Sequence, residues 1–133
     1  MAEQVDEATM VTMAFPPQPR LVRMARLASS ALATVGGADV DTIDDIKIAV
    51  DEVCASLIEA GNGSDVRLGF SLRKDRFEIV GETAGGSSVD PDRFALSRQI
   101  LRAVADHHEL VTGPDGSLRF SVTCSLPASA DGA

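Results

Sequence analysis

The stretch from Asp41 to Ala60 constrains this chain more than any other. Ile43, Ile46, Val50, Val53 and Leu57 recur every three or four residues, the spacing that lines up one face of an α-helix. Ala49, Cys54 and Ile58 widen the stripe, so the helix needs a broad apolar surface to lie against. Asp39 or Asp41 is placed to cap it, Asp44 and Asp45 favour its positive N-terminal end, and Gly61-Asn62-Gly63 stops it.

Strands supply the surface. Val66, Leu68, Phe70 and Leu72 alternate with Arg67, Gly69, Ser71 and Arg73, a period of two that reads as a half-buried strand. Lys74-Asp75 turns the chain, and Phe77 and Ile79 continue the inward parity. A second hairpin joins His108–Thr112 to Ser117–Leu126 through Gly113-Pro114-Asp115-Gly116, with Leu118, Phe120, Val122, Cys124 and Leu126 on one side. Upstream, Met10 to Phe15 reads as a first strand closed by Pro16-Pro17-Gln18-Pro19, since proline fixes φ and removes a donor. A helix from about Arg20 to Val35 follows, its expected core stripe being Leu21, Met24, Leu27, Ala28, Ala31 and Leu32, and Gly36-Gly37 ends it. After a loop from Gly85 to Asp92, a third helix is expected near Arg93 to His107.

The order is therefore β-α-α-β-β-α-β-β. Strands apolar on one face only suit a mixed, mostly antiparallel sheet of about five strands with three helices on one face, a two-layer α/β sandwich. The chain has 133 residues, which fits one domain, expected over residues 9–126, with disordered tails at 1–8 and 127–133.

Twelve basic and 20 acidic residues give a net charge of −8. That works against sequence-independent binding to nucleic acid or anionic lipid, and the lack of Trp and Tyr works against a base-stacking platform. The apolar runs are too short to cross a membrane, and the acidic N-terminus does not read as a signal peptide, so a cytoplasmic location is expected. Cys54 and Cys124 both fall in apolar patterns and read as buried packing residues. His107 and His108 are adjacent and so point to different sides, which makes them poor joint ligands for one metal ion.

The run Ile48-Ala49-Val50-Asp51-Glu52-Val53-Cys54, set in this order of elements, resembles the N-box helix of the anti-sigma-factor serine/threonine kinases, within the GHKL ATPase superfamily. The resemblance implies a Bergerat-type ATP site built from three boxes. In the first, Glu-x-x-x-Asn, the Glu is the candidate base and the Asn oxygen holds Mg²⁺; residues four apart share a helix face and can converge on one site. Here Glu52 stands at the first position and Ser56 at the second, a hydroxyl in place of the metal-holding amide. In the second box, Asp-x-Gly-x-Gly, the Asp reads adenine. Two registers fit, Glu82-x-Ala84-x-Gly86 and Thr83-x-Gly85-x-Ser87; strand parity turns Thr83 toward the core and Glu82 away, which favours Thr83 with Gly85. The third box should be a glycine-rich lid, yet no glycine occurs between Gly86 and Gly113, and Phe94 to Ile100 occupies its place.

Each of these residues also has a plainer reading: Glu52 as a solvated carboxylate, Ser56 as a helix-face spacer, and the Gly85 loop as a simple turn. The resemblance implies a degenerate ATP pocket at Glu52, Ser56, Thr83 and Gly85, with no cofactor expected, and ATP and Mg²⁺ only where the site still works. It implies a regulator of transcription that binds a sigma factor, an anti-anti-sigma (STAS-domain) protein, or both, as a homodimer. An active serine kinase and a structural oligomerisation domain are the alternatives.

Overall fold

A computed structural model describes the chain over residues 8–85 and 89–127. Five strands, β1 (Thr9–Phe15), β2 (Val66–Leu72), β3 (Arg76–Thr83), β4 (His107–Thr112) and β5 (Leu118–Ser125), form one sheet in the order β1-β2-β3-β5-β4. All four neighbouring pairs are antiparallel, so the expected mixed sheet is antiparallel throughout. β5 lies between β3 and β4, and the one crossover through a helix therefore makes no parallel neighbours.

Three helices, α1 (Val22–Val35), α2 (Val40–Ala60) and α3 (Pro91–Val104), cover one face. α1 lies over β1 and β2, α2 over β3 and β5, and α3 against α2 and β4. Beneath them Phe70, Phe77, Ile79, Phe120 and Val122 meet Ile46, Val50, Val53 and Leu57 in a closed core. Asp39 is the residue that caps α2, its carboxylate accepting from the Thr42 amide at 2.8 Å. Gly81 is what lets α2 come so close: a Cβ there would stand 2.6 Å from Leu57 Cδ1 and 2.7 Å from Val53 Cγ1.

Two expectations need correcting. In α1 the buried residues are Val22, Ala25, Ser29, Leu32 and Ala33, while Met24 and Leu27 are 53% and 64% exposed and Ala31 is exposed too. The helix has two apolar flanks, and the one carrying small side chains sits closer to the sheet. α3 ends at Val104 rather than His107. The Asp106 amide donates to the Thr123 carbonyl, and its carboxylate accepts from the Ser125 amide, so Asp106 already belongs to the sheet edge. His107 then begins β4, with His107 exposed and His108 half-buried on opposite sides. Cys54 and Cys124 are free and buried. The expected tails, apart from Ala8 and Pro127, lie outside the described residues.

Candidate functional site

Glu52 and Ser56 sit one turn apart on α2 and face α3. The residue that meets them is Ser97, which belongs to the segment Phe94 to Ile100 that stands where a glycine-rich lid is expected. Ser97 is almost fully buried; its hydroxyl donates to Glu52 Oε1 at 2.9 Å and lies 3.5 Å from the Ser56 hydroxyl. Phe94, Ser97, Leu101 and Val104 share one helical stripe, so Ser97 could have been picked out as the polar member of an otherwise apolar face. Only Ser97 and Leu101 of α3 are fully buried. The helix is thus held to α2 at a hydroxyl–carboxylate contact where a second large apolar residue would be ordinary.

Beside this contact opens a cavity of about 350 Å³. Leu57, Ala60, Val89, Phe94, Leu110 and Leu118 give it apolar walls, and Ser56, Glu59, Asp90 and Arg93 its polar lining. Arg93 reaches Glu59 at 3.8 Å, while Asp90 caps α3 by accepting from the Asp92 amide at 3.0 Å. The polar lining therefore carries two carboxylates and one guanidinium.

Thr83 faces the core as parity requires, but its hydroxyl is already engaged. It donates toward the Asp65 carbonyl at 3.1 Å, with the Ser64 carbonyl at 3.4 Å, and the side chain is almost fully buried. Glu82 points to the opposite, open face of the sheet, where it pairs with Arg119 at 2.9 Å. Gly85 packs against a turn: a Cβ there would lie 2.7 Å from the Gly116 carbonyl carbon. So the backbone after β3 and the β4–β5 turn touch directly, and any side chain at 85 would force them apart. Gly86 and Ser87, the last positions of the two registers, lie outside the described residues. The structure thus brings Glu52, Ser56 and Ser97 together and places Thr83 and Gly85 in contacts of their own.

Charge around α2 is arranged locally. Asp51, next to Glu52, pairs with Arg26 of α1 at 2.6 Å; with both side chains partly exposed, such a pair adds little stability. On the other flank Cys54 is desolvated by burial and faces Asp51, which together push its thiol up to about 12 against the weaker opposing pull of Arg26. Among the described residues no group of three or more His, Cys, Asp or Glu side chains could hold a metal ion, and no helix is long and apolar enough to cross a membrane.

Comparison with known proteins fits this geometry. Residues 15–109 match the family described as the histidine kinase-like ATPase domain. The chain is 36% identical over 96 residues to the serine-protein kinase RsbW of Halalkalibacterium halodurans, covering 71% of this chain and 59% of that protein. It is 33% identical over 86 residues to RsbW of Bacillus subtilis, covering 62% of this chain and 54% of that one. The chain thus spans a little over half the length of these curated relatives. Among solved structures, that of the RsbU and RsbW domains of a Mycobacterium tuberculosis protein shares the fold. Its TM-score is 0.72 over 90% of this chain and 34% of that one, at 17% identity. The five-stranded antiparallel sheet, the three helices on one face and the matched residues agree: the chain belongs to the histidine kinase-like ATPase domain family, and within it resembles the RsbW serine-protein kinases.

Proposed function

We propose that this domain is an anti-sigma-factor-like regulator of transcription whose nucleotide site is degenerate. It acts in the cytoplasm by binding a sigma factor, an anti-anti-sigma (STAS-domain) protein, or both, as a homodimer. The observation that carries this reading is how the candidate pocket residues are engaged. The Glu52 carboxylate accepts from Ser97, and the Thr83 hydroxyl is used inside the fold on the Asp65 carbonyl.

These side chains do not fit Mg-ATP. A purine amino group needs an accessible acceptor, and Thr83 is almost fully buried with its hydroxyl turned to the Asp65 carbonyl. A triphosphate needs backbone amides or cations, whereas the cavity's lining offers Glu59 and Asp90 against Arg93, itself beside Glu59. Carboxylates in the lining repel an anionic ligand. Of the oxygen donors magnesium prefers, Ser56 supplies a hydroxyl where the family pattern has an amide oxygen, the Glu59 carboxylate lies beside Arg93, and that of Asp90 caps α3. What remains of the family pattern is a folded scaffold with its helices presented outward, and the similarity to RsbW proteins supports a partner in the same regulatory class.

A second reading, an active serine kinase, is favoured by the retained Glu52 beside an open cavity. Calorimetric titration with Mg-ATP separates the two. No binding at millimolar nucleotide is expected, and saturable binding with phosphorylation of a STAS-domain protein would replace the first reading by the second. The regulator reading itself requires a complex with a sigma factor or a STAS-domain protein at micromolar concentration. Self-association with neither partner would leave a structural oligomerisation domain.

A further inference from the structure

α3 leads into β4 through Ala105 and Asp106 alone, and helix and edge strand lie side by side. On α3, Ser97 points to α2. At about 100° per residue, Arg98 and Arg102 lie about 100° and 140° round the helix from it, on the flank turned away from α2. That flank borders β4. Burial, and then the charges of Arg98, Arg102 and His107, hold the His108 imidazole below its ordinary range, so these groups are neighbours. The Arg98 guanidinium stands 5.8 Å from the centre of the Phe94 ring, a contact that steadies it while leaving its in-plane N–H groups to donate. Among the described residues neither arginine has a carboxylate within ion-pair distance.

This basic edge belongs to a chain of net charge −8, whose carboxylates crowd elsewhere. α2 carries Asp41, Asp44, Asp45, Asp51, Glu52 and Glu59 against Lys47 alone. Near the arginines, the Asp106 carboxylate is taken by the Ser125 amide, and Asp92 lies about 9 Å back along the helix from Arg98. Glu109, in register with Ser121, points to the open face of the sheet together with His107 and Val111. β4 itself ends the sheet and, among the described residues, pairs only with β5, in unbroken register and without a proline. Such an edge offers a row of amides and carbonyls to one further strand.

We infer that β4 and the Arg98–Arg102 flank of α3 dock an extended acidic segment of a partner protein, which adds to the sheet as a sixth strand. The spacing fits. Four residues of helix rise about 6 Å and two residues of strand about 6.8 Å, so carboxylates at alternate positions of the added strand come level with both arginines. The pattern is one-sided. Residues on the helix side of the added strand meet Arg98, Arg102 and His108. Those on the open side meet His107, Glu109 and Val111, where a second row of acids would oppose Glu109 and an apolar side chain would cover Val111, now 47% exposed. The segment selected therefore alternates acidic with apolar residues. The carboxylates of α2 repel the same segment, which directs it to this edge. The inference rests on the partner-binding reading of the preceding section, and adds to it a surface and the chemistry that surface selects.

The test titrates the full chain into a fluorescein-labelled peptide of alternating Glu and Val, with a Gln-Val peptide of the same length as its neutral counterpart, and reads anisotropy. The Glu-Val peptide is expected to bind about tenfold more tightly than the Gln-Val one, and less tightly as salt rises. Amide exchange in β4 should slow when it binds. Arg98→Glu combined with Arg102→Glu should abolish the preference with the circular dichroism spectrum unchanged, since both side chains are exposed. Lys47→Glu, a charge reversal on α2, should leave the preference standing. Equal affinity for the two peptides, a preference that survives the double variant, or slowed exchange that spares β4 overturns the site. Where one of these occurs and a complex with a sigma factor or a STAS-domain protein still forms, this surface fails alone. Where the peptide behaves as expected and neither protein binds, the regulator reading fails and the docking edge stands.

Discussion

Replacing Ser97 by alanine removes the one hydroxyl that ties α3 to Glu52 and changes little else. The lost contact is a hydrogen bond of 2.9 Å to Glu52 Oε1, worth about 1.5–3 kcal/mol when the acceptor is charged. Glu52 is only half-buried, so water can solvate the freed oxygen and the net cost falls to about 1–1.5 kcal/mol. In a domain of this size that lowers Tm by about 3–5 °C. Glu52→Ala costs a similar amount, because Ser97 keeps only the Ser56 hydroxyl at 3.5 Å. The double variant should then cost about 1 kcal/mol less than the sum of the singles, the coupling expected of residues in contact. The assay is urea unfolding of the four proteins, with hydrogen exchange in α3 as a local readout. Additivity within about 0.3 kcal/mol would refute the reasoning, since it would mean that Glu52 and Ser97 do not hold each other in solution.

Other perturbations test other contacts. Gly81→Ala should destabilise by about 1–3 kcal/mol, because its Cβ would overlap Leu57 and Val53 at 2.6 and 2.7 Å; chemical denaturation measures it. Cys54 and Cys124 should resist alkylation at pH 8.5 in the native protein and react on unfolding, since burial pushes both thiols up to about 12. Burial acts to raise the Glu78 carboxyl, but hydrogen bonds and charge from Arg76 and Arg73 outweigh it and hold it below the ordinary glutamate range. A carboxylate depressed in the folded state contributes stability that is present above its unfolded value and is lost as pH falls through the folded one. Glu78→Gln should therefore flatten the acid limb of the stability–pH curve while costing most at neutral pH.

How far the fold was legible depended on whether one pattern had one solution. α2 and the β2–β3 hairpin each carry a single apolar face, and both came out within a residue or two of expectation, α2 as Val40–Ala60 and β2 as Val66–Leu72. α1 offered two apolar flanks, and periodicity cannot say which is inside. The close approach made by Ala25, Ser29 and Ala33 decided it and left Met24 and Leu27 in solvent. The end of α3 was missed because nothing local stops a helix at Ala105; the stop comes from β5, through Asp106. At the candidate site, parity placed Thr83 inward and Glu82 outward. It could not foresee that the Thr83 hydroxyl would be used on the loop after α2. Nor could Ser97 be paired with Glu52, because a contact 45 residues apart depends on how two helices dock.

The notch at Gly81 also decides where this molecule can move. With Leu57 and Val53 seated against a position that has no side chain, α2 can neither slide along the sheet nor roll across it without losing its fit. α2 is therefore the stator of the domain. α3, fastened through Ser97 and Leu101 alone among its fully buried residues, is the rotor. A ligand or partner arriving at the cavity has one wall to push against and one to displace, and displacing it means breaking the Ser97–Glu52 contact and drawing Leu101 out of the core.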